Sequence, residues 1–207
     1  MKYDAKNLVG VLRLRDVAHI SAGYPIRGSV ESAPSGDVPV IQLRDVDGDG
    51  RISWVSPVRV RLTGRRAPDW LEQGDILFAA RGARNVAALV GAVPGPAVCS
   101  PHFFLIRMKA ADVLPAFVAW QINQEPAQRY LAAASQGSNI RSIKRQTLEE
   151  LPLAKASAAR QRAIIELNDA ALREKRVLSS LIENRNRQMQ ALASAVCSAA
   201  TGGQPDE

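Results

Sequence analysis

Between Ser157 and Val196 the chain contains neither proline nor glycine. Apolar residues recur there as Ile164, Leu167, Ala171, Leu178, Leu181, Ile182, Met189, Leu192 and Val196. This spacing predicts one uninterrupted amphipathic helix. At 1.5 Å per residue it would run roughly 60 Å, longer than a compact domain of this size needs. Its apolar stripe must lie against something. Leu178, Ile182, Arg185, Met189, Leu192 and Val196 follow the alternating four-and-three spacing of a coiled-coil seam. Upstream, Ile164, Leu167, Ala171 and Leu178 fit a slightly shifted register, which implies a short stutter. Asn184 to Gln188 interrupt the seam with polar groups, the kind that fix register at a cost in stability.

The preceding residues alternate short apolar runs with turn signals. Strands are expected at Val11–Leu14, Val17–Ile20, Val38–Leu43, Val58–Leu62, Asp75–Ala79, Val86–Val90 and Phe103–Met108. Helices are expected over Leu114–Gln124, Glu125–Ala134 and Ile143–Leu148, with Leu151–Leu153 extended. The expected class is mixed α+β. A strand-rich domain covers 1–153, the long helix covers 154–198, and a flexible tail covers 199–207.

An apolar fraction of 46% excludes wholesale disorder. A net charge of +7 points to a polyanionic partner, most often nucleic acid. Cys99 and Cys197 have no metal-ligand or disulfide-framework spacing. No apolar run is long enough for a membrane span or a signal peptide, so a cytoplasmic location is expected.

The catalytic signatures are missing. There is no phosphate-binding GxxxxGK[ST] or GxGxxG loop, no GxSxG elbow, and no Asn-Pro-Pro-Tyr type of motif for a flipped adenine. His19 and His102 lie near no metal-ligand partner, and His102 reads as a structural histidine. Asp45 to Ser53 imitates the start of an EF-hand calcium loop, with oxygens at positions one, three, five and nine and glycine at six. Position twelve is Ser56 instead of the bidentate glutamate, and the flanks read as strands. A tight Asp/Gly turn is therefore expected, and no metal.

Three basic segments remain. Arg81, Arg84 and Asn85 sit between two expected strands. Ser138, Asn139, Arg141, Lys144 and Arg145 join a loop to a helix start, and Arg65 with Arg66 forms a smaller patch. Arginine forks onto guanine or phosphate, and asparagine pairs with adenine. Aromatic residues make up only 5% of the chain and none is interleaved with these clusters. That favours duplex over single-stranded nucleic acid.

Five segments, in order, resemble the specificity subunit of type I restriction-modification systems. Leu14 to Gly23 is similar to an L-x-D-V-A-x-I-x-x-G opening, and Val38 to Val46 to a buried strand ending in Asp and an apolar residue. Gln73 to Gly82 is similar to a G-D-I-L-F-S-x-R-G segment. Gly137 and Ser138, followed by Ile143, Leu148 and Leu151 to Leu153, resemble the close of a target-recognition domain. Arg160 to Ile165 resembles the start of the family's spacer helix.

The resemblance implies half of such a subunit: one target-recognition domain and one coiled-coil helix. It implies double-stranded DNA and a methyltransferase subunit as partners, with a restriction subunit in some complexes. S-adenosylmethionine and ATP would sit only on those partners, and this chain would carry neither cofactor nor catalytic residue. Two copies pairing as a homodimer through Ile164, Leu167, Ala171, Leu178, Ile182, Met189, Leu192 and Val196 would read an interrupted palindrome. The rival expectation is a coiled-coil scaffold whose head does not read DNA.

Overall fold

The computed structural model describes residues 10–25, 38–62, 67–82, 85–134 and 142–201. The chain forms two compact units, residues 1–165 and 166–207. The first unit opens with β1 (Val11–Arg13), a single helical turn α1 (Leu14–Val17) and β2 (Ala18–Ala22). It continues through β3 (Val38–Ile41), β4 (Val58–Val60), β5 (Ile76–Ala79), β6 (Ala87–Leu89), β7 (Val98–Cys99) and β8 (Phe103–Met108). Helices α2 (Pro115–Ile122), α3 (Glu125–Ala134) and α4 (Arg145–Glu149) follow, then β9 (Pro152–Ala154). The last element is α5 (Ala158–Thr201), 44 residues long.

The strands form three sheets. The four-stranded sheet has the order β2-β8-β5-β6 and is antiparallel throughout. In the three-stranded sheet β3 pairs antiparallel with β4 and parallel with β7. β1 pairs with β9, so Val11 faces Ala154 and the two ends of the first unit meet.

β5 is buried on both faces, which explains its unbroken Ile-Leu-Phe-Ala run. Ile76 and Phe78 join one core with Leu14, Ile106 and Ile122, whereas Leu77 and Ala79 join a second with Ile41, Phe103 and Leu105. The period-two alternation of a strand thus divides four consecutive apolar residues between two cores.

α1 was not expected, and Val17, placed in a strand by its apolar character, ends that turn instead. Leu14 and Val17 both point into the core, three residues apart on one helical face. α4 begins at Arg145; Ile143 precedes it in an extended connection and is buried. β7 is only two residues long, between Pro96 and Pro101, too short to show a period.

α2 begins with Pro115 at its first helical position, where the missing N–H costs nothing. Phe117, Val118, Ala119 and Ile122 are buried, and the Phe117 and Trp120 rings stack at 5.7 Å. The amide of Asn123 donates to the Ala87 carbonyl at 2.8 Å and accepts from the Ala87 N–H at 2.9 Å. Gln121 makes the same two bonds to Ala154. Each carboxamide satisfies a strand backbone as a neighbouring strand would.

The first turns of α5 belong to the first unit, and Gln161 fixes them there. The residue is 1% exposed. It accepts from the Leu114 N–H at 2.8 Å and donates to the carbonyls of Asp112 and Ala156, both at 2.9 Å. Gln161→Leu keeps the volume and orphans all three groups. Urea unfolding followed by tryptophan fluorescence should show a loss of about 2–3 kcal/mol. An unchanged midpoint would mean that these bonds do not hold the helix start.

Candidate nucleic-acid interface

β5 runs out of its sheet at Ala80, and the chain then exposes Arg81. Ala80 is held on both sides: its N–H donates to the His102 carbonyl and its carbonyl accepts from the Ile143 N–H, each at 2.9 Å. Arg81 itself forms an antiparallel bridge with Ser142. Two of the basic segments, distant in sequence, are therefore joined backbone to backbone.

Arg81 and Lys144 are exposed, and among the described residues neither forms an ion pair. Arg145, also exposed, meets Glu149 one helical turn on, at 2.7 Å. Such a surface pair contributes little to stability, so its guanidinium can turn to another anion at small cost. Arg65, Arg66, Arg84, Ser138, Asn139 and Arg141 lie outside the described residues.

Asn85 requires a correction. It was expected to offer its amide to a base, but its side chain is turned inward and 9% of the residue is exposed. Its Nδ2 donates to the Ala79 carbonyl at 2.8 Å, and its own carbonyl accepts from Gln128 at 2.9 Å. The residue braces the loop that carries Arg81. His102 likewise differs from expectation: it is exposed in the turn before β8, and its backbone carbonyl does the structural work.

The Asp/Gly segment is a hairpin turn. Val46 bridges Ile52, and the Asp47 Oδ1 accepts from the N–H groups of Asp49 and Arg51, both at 2.9 Å. Asp45 Oδ2 accepts from the Gln42 N–H at 2.8 Å. Both carboxylates hold backbone. Gly50 adopts φ +78°, and a Cβ there would stand 2.6 Å from the Ala87 carbonyl. Glycine therefore lets this turn close onto β6.

The same turn walls a cleft of about 300 Å³. Leu43, Val46, Asp47 and Gly48 form one side; Ala79, Arg81, Gly82 and Val86 form the other. Sequence reasoning found Arg81 but missed that the Asp47 turn faces it. The signal was the turn motif itself, which is unremarkable until the fold sets it beside Arg81.

Other ionisable groups in the first unit serve structure. Asp75 is 2% exposed and receives a two-bond fork from Arg107, at 2.8 and 2.7 Å. That hydrogen bonding raises the Arg107 pKa above its ordinary value. Burial pushes the Cys99 thiol up to about 12, which keeps it protonated and a poor nucleophile. No group of three or more His, Cys, Asp or Glu residues among the described residues could hold a metal ion.

In the second unit, Leu167, Leu178, Ile182, Met189, Leu192 and Val196 are all 51–69% exposed. Ala171 is exposed as well, whereas Ile164, at the end of the first unit, is half-buried. No helix among the described residues is long and apolar enough to cross a membrane.

No protein-family model and no curated protein sequence matches the chain. Solved structures do. The HsdS subunit from Thermoanaerobacter tengcongensis superposes with a TM-score of 0.65 at 19% identity, over 88% of this chain and 46% of that one. A chain of a type I R-M system, from a structure of its assembly and conformational transition, gives 0.68 at 15% identity over 92% and 45%. The type I restriction-modification S subunit from M. genitalium gives 0.55 at 14% over 90% and 45%. The chain thus spans a little under half the length of each. Its fold, strand-rich unit and long helix together, is that of type I restriction-modification specificity subunits over that span.

Proposed function

We propose that this chain reads a DNA sequence as the non-catalytic specificity subunit of a type I restriction-modification complex. Duplex DNA would lie against the exposed Arg81 and Lys144 segments. The observation that carries this reading is the backbone bridge from Arg81 to Ser142, which brings two basic segments together. The shared fold supports it, and so does the net charge of +7. The partner would be a cytoplasmic adenine methyltransferase subunit bringing S-adenosylmethionine, and in some complexes an ATP-dependent restriction subunit. Arg84, Ser138, Asn139, Arg141, Arg145, Arg65 and Arg66 would extend the contact.

We further propose that two copies pair, antiparallel, through the exposed stripe of α5. An apolar stripe of this length in water calls for a partner. A two-fold pair requires a two-fold site, so the target would be an interrupted palindrome.

Three experiments test these readings. Binding to duplex DNA should show a sequence preference and fall with salt. Arg81→Ala should weaken it, and a phosphate contact at that residue would flatten the salt slope by about one unit. A chain with no sequence preference would favour the scaffold reading. Light scattering on the isolated chain should give about twice 22.4 kDa, and Leu192→Asp should return it to one. A monomer at micromolar concentration would defeat the pairing. Purified chain given S-adenosylmethionine and DNA should transfer no methyl group, and transfer without a partner would overturn the non-catalytic assignment.

A further inference from the structure

The cleft between the Asp47 turn and the Arg81 loop offers opposite chemistries from its two walls. One wall brings an anionic acceptor, Asp47, and the other a cationic donor, Arg81. The rest of the lining includes the apolar residues Leu43, Val46, Ala79 and Val86. Both polar residues are exposed, and they do not pair with each other.

Each is also held in place by backbone. Asp47 Oδ1 is committed to the N–H groups of Asp49 and Arg51, which fixes the carboxylate. Among the described residues no partner engages Oδ2. The Arg81 main chain is tied to Ser142. Gly82, at φ +119°, would place a Cβ 3.5 Å from the Leu43 side chain, so the two walls meet there.

A carboxylate beside a duplex is repelled by every phosphate it approaches. It contributes only where it meets a hydrogen-bond donor, and along the major groove the donors are the cytosine 4-amino and adenine 6-amino groups. Arginine forks preferentially onto guanine O6 and N7. A donor fork beside a fixed acceptor is the complement of the edge that a G·C pair presents.

We propose that this cleft is a base-reading subsite for a G·C pair, with Asp47 accepting from the cytosine amine and Arg81 donating to the guanine. This inference rests on the duplex-recognition reading. It adds the base pair that one part of the surface reads and gives the calcium-like turn a role. Asp47 acts as much by excluding thymine, whose O4 would face a carboxylate, as by attracting cytosine.

The test uses the full chain and a randomised duplex library. The unmodified chain should select a G·C pair at one position of each half-site. Asp47→Asn retains an oxygen for the two turn amides and removes the charge. It should weaken the G·C-over-A·T preference at that position alone, by roughly 5- to 150-fold, with Arg81 retaining the guanine share. Its thermal unfolding should match that of the unmodified chain. A second measurement needs no variant: a duplex with 2-pyrimidinone, which lacks the 4-amino group, in place of that cytosine should bind the unmodified chain more weakly by a similar factor.

A selected consensus unchanged by Asp47→Asn, together with full affinity for the pyrimidinone duplex, would overturn this subsite and leave the recognition reading intact. An A·T pair selected at the position that Asp47→Asn alters would overturn the G·C assignment. No consensus from the unmodified chain would overturn the recognition reading, and this inference with it.

Discussion

The first unit depends on side-chain carboxamides that stand in for missing strand neighbours. A sheet edge leaves backbone donors and acceptors that must find partners once buried. Asn123 completes the edge at Ala87, and Gln121 completes it at Ala154. Gln128 holds the carbonyls of Asn85 and Ile122, and Gln161 holds the Asp112–Leu114 corner. A carboxamide carries a donor and an acceptor side by side, as a peptide does. Each such bond contributes about 1 kcal/mol net, but leaving it unmade costs more, so geometry is enforced by the penalty. Apolar packing brings α2 and α3 against the sheets. The carboxamides decide where along the strands they sit.

That placement reaches the candidate interface through β5. Asp75, at the foot of the strand, is clamped by Arg107 from β8. A buried fork of this kind is weak evidence for net stability, but it tolerates only one alignment of the two strands. Leu77 and Phe78 then lock the strand between two cores. At its far end Ala80 is bonded to His102 and Ile143, and the Asn85 amide donates to the Ala79 carbonyl. Arg81 thus emerges from the most constrained strand of the unit.

Much of this was legible in the sequence. Short apolar runs between turn signals located β3, β5 and β8, alternation located β4, and helical spacing located α2 and α5, because in each the apolar residues recur at the period of the element. The resemblance of Gln73 to Gly82 to a specificity-subunit segment also pointed to Arg81. The misreadings have a common cause, which is that direction and distant pairing leave no local trace. Asn85 lies in a basic loop, as expected, but only the fold shows its amide folded back to Ala79. The meeting of Arg81 with Ser142 depends on every element between them. Asp47 looked like part of a failed calcium loop, because nothing nearby in sequence says what the turn faces.

The two exposed features of the molecule differ in how they are prepared for a partner. The α5 stripe is an open apolar row whose backbone is already satisfied within the helix, so binding there gains from burial and needs little specific geometry. The surface around Arg81 instead exposes charged groups, Arg81, Lys144, Arg145 and Asp47. Its strength must come from not having to reorganise. Ordering a long side chain on binding costs about 0.5–1.5 kcal/mol, and ordering the loop beneath it adds to that. Here the backbone at Arg81 is tied in advance by Ala80 and the Ser142 bridge, and the Asp47 carboxylate by two amides. The Arg81 side chain remains to be ordered. A charged surface built this way can discriminate between partners of equal charge, because a fixed acceptor cannot shift to suit the wrong one.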